Sequence, residues 1–183
     1  MPVLVSMLRG VNLGQHNRIK MDDLRALYES LRLENPRSYV QSGNVIFRTE
    51  EKNGAQLAKK IQGAIQKKFG CCPEVILRTP DEMRKAIAAN PFPERTKVEP
   101  AKVLVTFLAA QPPREAEANL EKLKGFPEEL HLHGRELYIY FPNGAGRSKL
   151  PWSAVDKLLK VTGTARNWNS VQAILEIAEE MEP

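Results

Sequence analysis

Hydrophobic positions along the chain follow the order strand, helix, strand, strand, helix, strand, and the order then starts again. Val3 to Leu8 is a near-continuous apolar run suited to a buried strand. Met21, Leu24, Tyr28 and Leu31 recur at helical spacing, with Asp22 and Asp23 in the first turn, where acids favour the helix dipole. Ser38 to Gln41 and Asn44 to Phe47 flank Ser42-Gly43, which predicts a hairpin with a two-residue turn. Asn53 is placed to cap a helix that carries Leu57, Ile61, Ile65 and Phe69 on one face, and Val75-Ile76-Leu77 supplies the fourth strand. Thr79-Pro80-Asp81-Glu82 combines a cap, a proline in the first helical position and a glutamate three residues after the cap, so a helix runs to about Ala89.

Asn90-Pro91-Phe92-Pro93 stops that helix, and because the stretch from Pro91 to Pro100 carries three prolines and few apolar residues, residues 94–101 read as a stiff linker. The pattern resumes with Val103 to Leu108 and a helix from about Arg114 to Lys124. A hairpin of Glu129 to His133 and Glu136 to Phe141 turns at Gly134-Arg135, and a helix covers about Trp152 to Lys160. A short extended piece near Thr164 leads to a last helix, with Asn169 as the expected cap and Val171, Ile174, Leu175 and Ala178 on one face. Both hairpins lead into an Asn-Gly pair, Asn53-Gly54 and Asn143-Gly144, which suggests an internal duplication. The fold class expected is α+β: two ferredoxin-like, split βαβ halves with antiparallel sheets and helices on one face, plus a C-terminal helix. The lobes are residues 1–93 and 102–183.

A chain of 183 residues that is 42% hydrophobic and 27% charged buries one large core or two small ones, which excludes a disordered chain. No apolar run approaches the ~20 residues that cross a bilayer, and the N-terminus lacks a basic leader. A cytoplasmic location without membrane contact is the default. Cys71 and Cys72 are adjacent and make neither a disulfide framework nor a CxxC site, so both read as reduced thiols. The net charge of +5 is concentrated before residue 94, the remainder being close to neutral. A basic first lobe suits an acidic partner, although a merely solvated surface has the same composition.

Four polar stretches stand where apolar segments turn, and they hold the candidate site residues. Arg9 and Asn12 open a long polar loop that ends at Lys20: a guanidinium, an amide and an ammonium suited to an anion, or a structural acid pair and a wandering loop. Gln41, Ser42 and Asn44 present amides and a hydroxyl at a hairpin tip, or simply make the turn. Asn143 to Lys149, with Ser148 and Lys149, lies between a strand and a helix, the setting of an anion nest or of a plain tight turn. It fits neither a P-loop nor a dinucleotide fingerprint, so no nucleotide cofactor is expected. Arg166 and Asn167 precede the last helix, and beside them Trp168 either stacks on a ring or packs in the core.

Tyr138 and Tyr140 share a strand face that either stacks bases or is buried between lobes. His131 and His133 share a face but lack a third ligand at metal spacing, so no metal is expected, and no nucleophile has a recognisable base beside it.

The chain resembles, from end to end, the bacterial family catalogued as domain of unknown function 1697. The resemblance rests on Arg9-Gly10-Val11-Asn12, Lys20-Met21, Tyr39 to Val45, Asn90-Pro91-Phe92, Pro142-Asn143-Gly144, Ser148-Lys149-Leu150 and Thr164 to Trp168. It implies a two-lobed α+β protein of ferredoxin-like halves and implies no activity. The family often has a second glycine where Gln15 stands, which counts against a glycine cradle between Leu13 and His16. The functional expectation is an anionic, phosphorylated small molecule held in a cleft between the lobes. The alternatives are a module that binds RNA or single-stranded nucleic acid, and an enzyme acting on a phosphorylated metabolite or nucleotide with Lys149 or Arg166 stabilising negative charge.

Overall fold

The computed structural model describes residues 1–183. It has two compact units: Met1–Lys85 together with Gln172–Pro183, and Ala86–Val171. The first contains β1 (Val3–Leu8), α1 (Met21–Ser30), β2 (Glu34–Tyr39), β3 (Asn44–Arg48), α2 (Gly54–Phe69) and β4 (Val75–Arg78). Next come α3 (Pro80–Ala88) and α4 (Pro93–Val98). The second unit repeats the sequence of elements with β5 (Val103–Leu108), α5 (Ala116–Leu120), β6 (Glu129–His133), β7 (Glu136–Tyr140), α6 (Trp152–Leu159) and β8 (Gly163–Asn167), and α7 (Trp168–Met181) ends the chain.

The two sheets have the orders β2-β3-β1-β4 and β6-β7-β5-β8, with every neighbouring pair antiparallel. In each unit two β-α-β segments, each split by a strand of the other, give this connectivity, as expected from the alternation of apolar segments. The registers also match. Val5 lies opposite Arg78 and Val105 opposite Arg166, while Ser6 lies opposite Val45 and Thr106 opposite Leu137.

In the first unit, Leu8, Val45, Phe47 and Val75 pack against Leu24, Tyr28, Leu57 and Ile61 of the two helices. Each such burial stabilises by about 1.5–3 kcal/mol. Tyr28 satisfies its hydroxyl inside this core by bonding Ser6 Oγ at 2.7 Å, and its ring meets Phe47 edge-on at 5.3 Å. In the second unit Leu108, Leu137, Ile139 and Phe141 pack against Ala116, Leu120, Val155 and Leu159.

The opposite sheet faces are also buried. In the first unit the end of α7 lies on that side, since Arg48 Nε donates to Met181 O at 2.9 Å and Arg37 bonds Glu180 at 3.0 Å. In the second, Tyr138 donates to Ala86 O at 2.6 Å and Tyr140 to Glu99 at 2.9 Å, with the Arg95 guanidinium 4.6 Å from the Tyr140 ring. Both tyrosines are therefore buried under residues 86–99, and the base-stacking reading of that face falls.

Local structure departs from expectation where polar residues mimic turns. β2 starts at Glu34, because a bulge between Glu34 and Arg37 absorbs Asn35-Pro36. The β2–β3 connection has four residues, Val40–Gly43, since Tyr39 pairs with Asn44. α7 is capped by Asn167, not Asn169: Ser170 N donates to Asn167 Oδ1 at 3.0 Å. The helix expected from Arg114 shortens to Ala116–Leu120, continued by a 3-10 turn over Glu121–Leu123. The proline-rich stretch is helical over Pro93–Val98, with a 3-10 turn at Pro100–Lys102.

Candidate functional site

The Gly10–Lys20 loop is an ordered element organised by one side chain. Asn12 adopts a positive φ of 55°, and its backbone N–H donates to Asn17 O at 3.0 Å. Its amide then pairs with Ile19 in both directions, Nδ2 to Ile19 O at 2.9 Å and Ile19 N to Oδ1 at 2.7 Å. The same Nδ2 reaches Gln41 O at 2.6 Å. One asparagine thus ties both ends of the first loop to the tip of the β2–β3 loop.

Gly43 completes this junction. Its φ is +77°, and a Cβ there would lie 2.6 Å from Val11 Cγ2 and 2.8 Å from Leu8 Cβ. Its carbonyl accepts from Leu8 N at 3.0 Å, so only glycine lets the hairpin tip press onto the end of β1.

The two joined loops frame a recess of about 430 Å³ lined by Asn12, Gly14, Arg18, Ile19, Lys20 and Gln41. A second recess of about 490 Å³ shares Lys20 and Gln41 and adds Met21, Asp22, Arg25, Ser38 and Val40. Lys20 is the N-cap residue of α1, extended and without a side-chain cap, and its exposed ammonium makes no ion pair. Arg18 is exposed and makes a long bond to Gly14 O, at 3.4 Å. Arg25 bonds both Ser38 Oγ and Asp22, so its charge is partly neutralised. On the rim, Val40 is 50% exposed with a φ of 49°, a backbone state that β-branched residues rarely adopt. Chemically, the recess offers two cations and an amide at a helix start, a set that favours an anion.

Lys20 and Gln41 were candidates from sequence and do line the recess, while Asn12 acts as the clip beneath them. Arg18 and Arg25 were not singled out. Arg18 stands two residues before Lys20 in the same polar loop, which was the available signal; Arg25 is a helical residue whose direction depends on how α1 packs.

The other candidates have internal roles or lie elsewhere. Arg9 is half-buried after β1, its N–H on Glu74 O at 3.0 Å. Asn44 is wholly buried and donates to Tyr39 O and Ser42 Oγ at 3.2 and 3.3 Å, closing its own hairpin.

In the second unit the Asn143–Lys149 stretch forms a 3-10 turn at Ala145–Arg147. There Gly144 N, Arg147 N and Ser148 N bond Phe141 O, Gly144 O and Ala145 O. Those donors are consumed by the turn, and α6 starts only at Trp152, so the anion-nest reading gives way to the tight turn. Ser148 donates to Glu128 Oε1 at 2.7 Å and accepts from Leu150 N at 3.0 Å, whereas Lys149 is exposed. Arg166 is only 7% exposed; Nη1 donates to Thr164 Oγ1 at 2.7 Å and Ala165 O at 2.9 Å, and desolvation pulls its pKa down to about 10. Asn167 is the helix cap, and Trp168 is a core residue.

His131 and His133 sit exposed on β6, and no three His, Cys, Asp or Glu side chains gather as metal ligands would. Cys71 and Cys72 are free thiols. No helix is long and apolar enough to cross a membrane.

Among solved structures, the conserved bacterial protein SP0830 from Streptococcus pneumoniae matches this chain with a TM-score of 0.71 at 17% identity. The match covers 97% of this chain and 98% of that one, and at this identity it speaks for a shared fold. Comparison with curated proteins finds no match. The family model described as protein of unknown function, DUF1697, matches residues 1–138, and with that span the chain belongs to this family.

Proposed function

We propose that the protein binds an anionic, phosphorylated small molecule in the recess at the loop end of the first unit, with Lys20 and Arg18 holding the anion and Gln41 orienting it. The observation that carries this reading is the Asn12 junction. It uses every polar atom of one side chain to hold two loops together, and the recess they frame is lined by cations without a strong internal partner. Charge-assisted bonds of this kind contribute about 1.5–3 kcal/mol each. Asp22 and Asp23 in the first turn of α1 already complement the dipole, so the side-chain cations supply most of the attraction.

The test is calorimetry with inorganic phosphate, a sugar phosphate and a nucleoside monophosphate. Lys20→Ala and Arg18→Ala each weaken binding by about 10-fold or more while the circular dichroism spectrum stays unchanged, as loss of one such bond requires. A single phosphate gives a shallow salt dependence; a slope many times steeper, seen with mixed RNA in place of the small ligands, would favour the nucleic-acid alternative. Wild-type protein that binds none of the three compounds, or variants that bind as wild type does, would refute the proposal.

A further inference from the structure

The two recesses of the first unit adjoin, since Lys20 and Gln41 line both, and their chemistry differs. The smaller one has Arg18 and Lys20 and no acid in its lining. The larger one has Arg25 and Asp22, which bond each other, so their charges cancel there. A second phosphate would therefore find little in the larger recess beyond the shared Lys20.

What the larger recess does hold is a fixed set of donors and acceptors. Arg25 reaches from α1 to Ser38 on β2 as well as to Asp22, which orders all three side chains before any ligand arrives. Ser38 Oγ accepts from Arg25 and keeps its own proton to donate, while Asp22 uses Oδ1 and keeps Oδ2 to accept. Such a mixed set matches hydroxyl groups, each of which both donates and accepts. Met21 and the half-exposed Val40 add apolar surface against which C–H groups pack. Neither recess has an aromatic side chain in its lining, so a nucleobase has no ring to stack on.

We infer that the ligand is a phosphorylated sugar: its phosphate sits in the smaller recess, and its hydroxyls extend past Lys20 and Gln41 to Asp22, Ser38 and Arg25. This inference rests on the anion reading above and adds the class of molecule. Calorimetry on full-length protein compares inorganic phosphate, ribose 5-phosphate and adenosine monophosphate. Ribose 5-phosphate binds at least about 10-fold more tightly than phosphate, the gain expected from one or two further hydrogen bonds, and adenosine monophosphate binds no more tightly than ribose 5-phosphate. Ser38→Ala and Asp22→Asn each bring the ratio of ribose 5-phosphate to phosphate affinity down toward one, and either variant suffices should the other fail to fold. A wild-type ratio near one, or a ratio that neither variant moves, would overturn the sugar assignment while the anion site stands. Much tighter binding of adenosine monophosphate would overturn it in favour of a base contact. Binding of neither phosphate nor ribose 5-phosphate would remove the inference and the anion site together.

Discussion

Asn12 combines a positive φ with a side chain whose every polar atom is engaged, so its replacement removes several bonds at once. Asn12→Ala therefore lowers stability by about 2–3 kcal/mol, at roughly 1 kcal/mol per lost bond, measured by urea unfolding. Glycines give a sharper contrast. Gly43→Ala forces a Cβ into Val11 and Leu8 at an unfavourable φ and costs about 2–4 kcal/mol. Gly10→Ala, at a similar φ of +71° but in open space, costs only about 1–2 kcal/mol. If the two variants proved equally stable, close packing would not be the reason for Gly43. Sequence alone marked Arg9-Gly10-Val11-Asn12 and Gln41-Ser42-Gly43-Asn44 as polar turn segments. It did not reveal that Asn12 bridges them, because that bond joins residues 29 positions apart.

Caps and acid–base pairs show how each element is held at its ends. Thr79 and Glu82 form the reciprocal cap foreseen for α3, with Glu82 N on Thr79 Oγ1 at 3.1 Å and Thr79 N on Glu82 Oε2 at 2.8 Å, and Asn53 caps α2 as expected. Such signals are legible because a cap lies within three residues of the groups it satisfies. Arg84 shows the opposite case. It bonds Asp81 in its own helix and Glu179 and Glu182 at the end of α7, a convergence no local pattern contains.

The Glu99 carboxylate is held below the ordinary range by bonds from Lys102 and then Tyr140. A depressed acid stabilises the fold above its unfolded pKa, and the contribution is lost as pH falls through the folded value. Carbon-detected NMR titration of Glu99 therefore gives a lower midpoint than an unstructured glutamate, and Lys102→Met moves it upward; an unshifted midpoint in wild type would contradict the pairing. Tyr28 has the reverse sign. Burial raises its pKa far above the usual value, so its stabilising effect is full below the unfolded pKa and fades as pH climbs toward the folded one. Ultraviolet titration should find Tyr28 ionising only with alkaline unfolding, and normal ionisation of every tyrosine in folded protein would refute this.

The duplicated architecture extends to single positions. Arg78 and Arg166 stand at matching places in the two sheets, both buried, each donating Nη1 to the carbonyl of the preceding residue. The match is incomplete: Asn53 opens a helix, whereas Asn143-Gly144 opens a loop with a 3-10 turn before α6. The C-terminal residues complete the first unit, since Gln172–Pro183 belong to it and bury Ile174, Ala178 and Met181. A chain ending at Val171 should lose the cooperative unfolding of the first unit, because each buried apolar side chain removed forfeits about 1.5–3 kcal/mol. An unchanged melting transition would show that the segment is dispensable. From the sequence came the element order apart from α4, the βαββαβ repeat, most caps and the core faces, because periodicity and capping depend on neighbours a few residues away. Folding alone decided which polar loops meet, that Lys20 and Gln41 share a recess with Arg18, and that Asn44 and Arg166 turn inward, since those outcomes depend on strand register and close packing between distant segments.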